Sequence, residues 1–174
     1  MKTIHTPISN DTLKSLKAGD EIYISGTIFT ARDAAHERMT KTFENGRKPP
    51  FPYNSNVVYY VGPTPEKAGR IIGSAGPTSS YRMDGYAEKL LSAGLKISIG
   101  KGQRSEEFRR ALKDRGGVYF LAIGGIGALL SECIKEKECL AYPDLKSEAI
   151  YKLKVKQFPV FVAYDTHGGN IFKE

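Results

Sequence analysis

Residues 73–84 read Gly-Ser-Ala-Gly-Pro-Thr-Ser-Ser-Tyr-Arg-Met-Asp. Gly73 and Gly76 allow a tight turn and a close approach of backbone to a ligand. Thr78, Ser79 and Ser80 are residue types that cap helices, so a helix is expected to start there. A helix start presents unpaired N–H groups and a partial positive charge, which suits an anion. Arg82 falls in the first turn, where a guanidinium can grip a carboxylate through two parallel hydrogen bonds. The same residues would also serve a plain strand–turn–helix connection, with Thr78 as its cap and nothing more.

Two further stretches carry cations on turns. In Thr30-Ala-Arg-Asp-Ala-Ala-His36, Arg32 and Asp33 sit where a strand gives way to a helix. Asp33 suits a helix start, whereas Arg32 opposes the dipole there, and an anionic ligand would resolve that conflict. His36 is a candidate acid–base group, or else a packed helix histidine. In Ile99-Gly-Lys-Gly102, Lys101 stands between glycines on a short loop. This run is too short for a nucleotide phosphate loop. Gly124-Gly-Ile-Gly127 is another glycine turn, without the rest of a dinucleotide-binding fingerprint. Turns of this kind can gather at one end of a sheet. Two guanidiniums and an ammonium gathered there suit a small molecule with two carboxylates. The residues by themselves do not specify a reaction.

The elements that must position these groups follow from periodicity. Glu21–Thr30 alternates β-branched and aromatic residues with others and predicts a strand. A helix is expected over Ala31–Phe43, and an extended Pro-rich crossing after Gly46. Strands are expected at Val57–Val61, Leu95–Ile99, Val118–Ile123 and Pro159–Tyr164, with weaker candidates at Arg70–Ile72, Cys139–Tyr142 and Ala149–Val155. Helices are expected at Ser79–Ala93, Glu106–Lys113 and Ala128–Lys135. Residues 1–19 read as an N-terminal adapter segment with a short amphipathic stretch, Asn10–Leu16. Strands and helices alternate between residues 57 and 135, which indicates one mixed α/β domain over residues 1–174, arranged in three layers.

The 174 residues carry a net charge of +7. The cations are scattered among Asp and Glu, as on a solvated mixed surface. No nucleic-acid motif accompanies them, and no apolar run reaches the roughly 18 residues of a membrane helix. Neither nucleic acid nor membrane is therefore expected as a partner. Met1–Asp20 lacks the apolar core of a signal peptide, so a cytoplasmic location is expected. Cys133 and Cys139 are the only cysteines. An iron–sulfur cluster normally takes three or four thiolates, so no metal site is expected in this chain.

Five stretches together resemble the β subunit, or the C-terminal domain of single-chain forms, of class I fumarases and L-tartrate dehydratases. They are residues 19–39 (GDEIYISGTIFTARDAAHERM), 59–84 (YYVGPTPEKAGRIIGSAGPTSSYRMD), 99–102 (IGKG), 118–130 (VYFLAIGGIGALL) and 144–170. They run over nearly the whole chain, in the family's order. Ser79 departs from the family, which more often has a second threonine there. The resemblance implies a swivelling β/β/α three-layer fold and reversible hydration of fumarate to L-malate. L-Tartrate dehydration to oxaloacetate is the alternative, and a non-catalytic dicarboxylate-binding module a further one. It also implies a [4Fe–4S] cluster bound by the cysteines of a partner α subunit, whose open iron acts as a Lewis acid. The assembly implied is (αβ)2. By motif, Arg32, Arg82 and Lys101 would bind substrate carboxylates and Thr78 would be the candidate base. Gly76, Asp33 and His36 would support them.

Overall fold

Seven strands and five α-helices follow one another among the described residues, 1–122 and 126–172, of the computed structural model. In chain order they are β1 (Lys2–His5), α1 (Asn10–Ser15), β2 (Glu21–Thr30), α2 (Asp33–Glu44), β3 (Val58–Tyr59), α3 (Asp84–Ser92), β4 (Ile97–Gly100), α4 (Glu106–Asp114), β5 (Val118–Leu121), α5 (Gly127–Glu132), β6 (Ile134–Ala141) and β7 (Ile150–Tyr164). Short 3-10 turns at Ser80–Met83 and Pro143–Glu148 precede α3 and β7. Of the expected GGIG turn, Gly124 and Gly125 lie outside the described residues, as does Ile123 at the expected end of β5.

One sheet organises the domain and closes on itself. Strands β2, β3, β4 and β5 run parallel in that order. β7 runs antiparallel to β5 at one end of the row and antiparallel to β2 at the other. The result is a closed, barrel-like ring with β1 and β6 attached beside β2 and β7. Alternation decides what each strand buries. Tyr59, Ile97, Ile99, Val118 and Phe120 point inward to one core, with Ile24, Ile28, Leu153 and Val162. Their neighbours Val58, Tyr60 and Tyr119 point outward to a second packing layer.

Helices α2, α3 and α4 lie side by side over that outward face. Each buries residues at helical spacing: Ala35 and Met39 on α2, Ala87, Leu90 and Leu91 on α3, Phe108 and Leu112 on α4. Full burial of a side chain of the Leu, Met or Phe size is worth about 1.5–3 kcal/mol. α4 also has a side-chain cap: Ser105 Oγ accepts the Phe108 N–H at 3.1 Å.

Several expectations shift. Arg70–Ile72 is a loop, because Thr64 closes it: Ser74 N–H donates to Thr64 Oγ1 at 2.7 Å and Thr64 N–H to Ser74 O at 3.0 Å. The strand candidate at Cys139–Tyr142 begins at Ile134 instead. Ala149–Val155 and Pro159–Tyr164 are one strand of 15 residues, bent at Gln157, whose φ is 51°. Pro159 lies between the stretch of β7 that pairs with β6 and the stretch that pairs with β5, so its missing N–H costs no bond on that edge. Residues 1–19 contribute β1 and α1, and Ile4, Ile8, Leu13 and Leu16 are buried in the barrel core.

Candidate active site

The turns after β3 and β4 are tied to each other by their backbones. Tyr60 N–H donates to Ile99 O at 2.9 Å, Thr78 N–H to Tyr60 O at 2.8 Å, and Ser80 N–H to Lys101 O at 2.9 Å. The return bond uses a side chain: Lys101 N–H donates to Ser80 Oγ at 2.8 Å. Tyr119 Oη stands 2.9 Å from both Ser80 Oγ and Gly102 O. A carbonyl can only accept, so the tyrosine proton goes to Gly102 and the serine proton goes to Tyr119. Burial pushes the Tyr119 hydroxyl up, which keeps it protonated as a donor. Every proton in this network is thereby assigned, and Thr78 and Lys101 are held on adjacent loops. The same network explains Gly100, where a Cβ would lie 1.8 Å from Ser80 Oγ.

Sequence alone suggested that Thr78, Ser79 and Ser80 would cap a helix. Ser79 does occupy that position, but its side chain makes no cap bond and the first turn is 3-10. The Ser80 hydroxyl is spent on the Lys101 loop instead. α3 proper begins at Asp84, whose carboxylate takes Arg104 Nε at 2.5 Å and Ser105 N–H at 2.6 Å.

Arg32 and Arg82 converge from two elements on one carboxylate. Asp33 Oδ2 is 2.9 Å from Arg82 Nη2 and 3.9 Å from Arg32 Nε. Arg32 Nε is buried without a hydrogen bond, with Glu148 Oε1 at 4.0 Å as its other acidic neighbour. The Arg32 side chain crosses Gly62 so closely that a Cβ there would lie 2.7 Å from its Cδ and Nη1. Arg32 is the N-cap residue of α2 and has no side-chain cap bond. The structure therefore brings Arg32, Asp33 and Arg82 together. Lys101, on the loop bound to the one carrying Thr78, is exposed, and Thr78 is half-buried.

Gly76 has ordinary room for a Cβ, at 3.7 Å from Gly127 Cα. The tight positions are Gly73 and Gly127, where a Cβ would come within 2.4 Å of Thr64 O and 2.8 Å of Gly76 N. His36 points inward. It is fully buried, edge-on to Tyr60 at 5.1 Å, with Nδ1 2.8 Å from Arg32 O. Burial pushes its pKa down to about 4 and the Arg104 charge adds to this, against the opposing bond to Arg32 O. His36 is therefore neutral near pH 7.

Sequence reasoning missed Ser80 as a tie, and with it Tyr119 and Arg104. The Arg104 side chain is fully buried, and its guanidinium lies 3.5 Å from the Phe108 ring centroid and 5.0 Å from those of Tyr60 and Tyr119. Its counter-charge, Asp84, is twenty residues away, so a local reading sees only a surface cation in a turn.

Among the described residues, no group of three or more His, Cys, Asp or Glu could hold a metal ion. Cys133 and Cys139 are free thiols, Cys133 just before β6 and Cys139 within it, six positions apart. No described helix is long and apolar enough to cross a membrane. What the site offers chemically is three cations, a hydroxyl and one bridging carboxylate.

Residues 2–174 match the family model described as Fumarase C-terminus. The chain belongs to that family. It is 37% identical over 164 residues to the aerobic class I fumarate hydratase of Escherichia coli K12, which covers 93% of this chain and 30% of that protein. It is 36% identical to fumarate hydratase 2 of Leishmania major, over 93% of this chain and 29% of that protein. A protein of Methanocaldococcus jannaschii with the provisional name L(+)-tartrate dehydratase subunit beta is 33% identical over 180 residues, which is 100% of this chain and 92% of that protein. The chain thus spans about 30% of the fumarate hydratases it matches, and nearly the full length of the tartrate dehydratase subunit. Within the fumarase C-terminal family, the loops of Arg32, Thr78, Arg82 and Lys101 are the natural candidate site.

Proposed function

We propose that this chain is the β subunit of a hydro-lyase that interconverts fumarate and L-malate, and that it supplies the dicarboxylate-binding half of the active site. The observation that carries this reading is the gathering of Arg32 and Arg82 on Asp33, beside the joined Thr78 and Lys101 loops. Two guanidiniums and an ammonium match the two carboxylates of a C4 dicarboxylate. Asp33 offsets repulsion between the guanidiniums and sets their spacing. Arg32 and Arg82 grip and orient the substrate, and Lys101 adds the third cation. In the dehydration direction Thr78 Oγ takes a proton from the carbon beside a carboxylate, and in hydration it returns it. A threonine hydroxyl is a weak base, and the neighbouring cations stabilise its deprotonated form.

The [4Fe–4S] cluster of such enzymes does not fit the donors of this chain, which has two thiols separated along β6. We assign it to an α partner whose cysteines hold it, in an (αβ)2 assembly in the cytoplasm. The closed sheet with its single helical layer is consistent with a swivelling β/β/α three-layer domain that carries the cationic loops to the partner.

The second reading is L-tartrate dehydration to oxaloacetate, favoured by the full-length match to the M. jannaschii subunit. An anaerobic assay of this chain alone and mixed with its α partner decides both points, following loss of fumarate and formation of oxaloacetate from L-tartrate. Activity in the mixture only, on one substrate, is expected. No turnover of either substrate by a mixture with an intact cluster rejects the hydro-lyase reading.

A further inference from the structure

The carbonyl of Arg32 accepts two hydrogen bonds from a single residue. His36 N–H donates to it at 2.8 Å, as in any first helical turn, and His36 Nδ1 lies 2.8 Å from the same oxygen. Since the acceptor is a carbonyl, the ring proton must sit on Nδ1. The other ring nitrogen, Nε2, is buried and has no hydrogen-bond partner among the described residues. It faces donors. Ser98 Oγ is likewise buried without a partner and lines the same small cavity between β4 and the helices, and the Arg104 guanidinium stands nearby. Burial and the Arg104 charge disfavour a second proton at Nε2, so the neutral Nδ1–H form is the one this pocket selects.

We propose that His36 is a positioning residue for Arg32, holding the N-cap backbone of α2 so that the Arg32 guanidinium is laid across Gly62 towards the substrate. Arg32 has no side-chain cap of its own; the His36 ring instead adds a second donor to the Arg32 carbonyl and pins the N-cap backbone from inside the fold. The effect extends one residue further. Asp33 follows Arg32 directly and carries Arg82, so one buried ring sets the spacing of both guanidiniums. This inference rests on the dicarboxylate-binding reading of Arg32 and deepens it.

The test compares His36→Asn, His36→Gln and His36→Leu in the reconstituted α–β complex. An asparagine amide can place an N–H near the Nδ1 position, a glutamine reaches only towards the Nε2 position, and leucine offers neither. The expected result is a KM raised about tenfold in the Gln and Leu variants, with a smaller change in kcat, and a KM within about threefold of the parent in the Asn variant. Equal KM values in Asn and Leu, or losses confined to stability, overturn the proposal. A second measurement needs no turnover. Nitrogen NMR of the full chain should find the His36 proton on Nδ1, and succinate should shift the Arg32 Nε resonance in the parent and Asn variant far more than in Leu. A proton on Nε2 overturns the proposal. If the parent complex hydrates nothing, the hydro-lyase reading fails, while the tautomer and the succinate titration still decide the role of His36.

Discussion

Ser80 and Gly100 compete for the same space, and the competition can be measured. A Cβ on Gly100 would stand 1.8 Å from Ser80 Oγ and 2.9 Å from the Tyr60 ring. Ser80 cannot rotate aside freely, because its hydroxyl accepts the Lys101 N–H and donates to Tyr119. Gly100→Ala therefore combines overpacking, about 1–3 kcal/mol, with an abandoned Lys101 N–H, about 1–3 kcal/mol. Ser80→Ala alone removes the acceptor and costs about 1–3 kcal/mol. In the double variant the new methyl takes the space the hydroxyl left, so the loss of the Lys101 acceptor is counted once, at about 1–3 kcal/mol, and the approaches to Tyr60 and to the Cβ of residue 80 add about 1 kcal/mol. The pair should then cost less than the sum of the singles by roughly 1–5 kcal/mol, the Lys101 loss counted once instead of twice plus the overpacking relieved. Urea unfolding of the parent, both singles and the double gives this coupling directly from midpoints at constant m. Additivity within about 0.5 kcal/mol refutes the reasoning, and so does a Gly100→Ala variant as stable as the parent. In the complex, both singles should weaken succinate inhibition, since Lys101 moves with its loop.

Acid should destabilise the fold through His36. Its folded pKa of about 4 lies below the ordinary 6.5, so the unfolded chain binds more protons between those values and stability rises with pH across that window. The contribution is complete above about pH 6.5 and is lost as pH falls towards 4, with an upper magnitude of about 3 kcal/mol. Urea unfolding at pH 7 and 4.5 should show a steeper loss in the parent than in His36→Asn, and equal slopes would rule this account out. Thr78→Ala should lower kcat by at least about a hundredfold while changing KM little; a near-normal kcat removes Thr78 as the base. Arg82→Met should weaken succinate inhibition about tenfold or more, as expected for the loss of a charge-assisted pair. Unchanged inhibition would show that Arg82 does not grip a carboxylate.

What sequence reveals about this fold depends on how far apart the deciding residues lie. β2 and α4 were legible because their signals are local: the alternation of Glu21–Thr30 and, for α4, apolar Phe108 and Leu112 four positions apart behind a Ser105 cap. Closure of the barrel was not. It depends on β7 pairing with β2 more than a hundred residues earlier, along a strand interrupted by Gln157 and Pro159, which locally read as a break. The candidate site divides in the same way. Arg32, Arg82 and Lys101 announce themselves as cations on glycine-flanked or helix-opening turns. Their ties do not, and Ser80 shows why. A serine at a helix start satisfies a local cap by default. Here the Lys101 N–H sits in the partly buried seam between two loops, where losing its Ser80 acceptor costs about 1–3 kcal/mol, whereas N–H groups of an exposed first turn can bond to water at little cost. That demand outweighs the exposed one, so the Ser80 hydroxyl turns to Lys101, and the loop holding Thr78 is fixed to the loop holding Lys101.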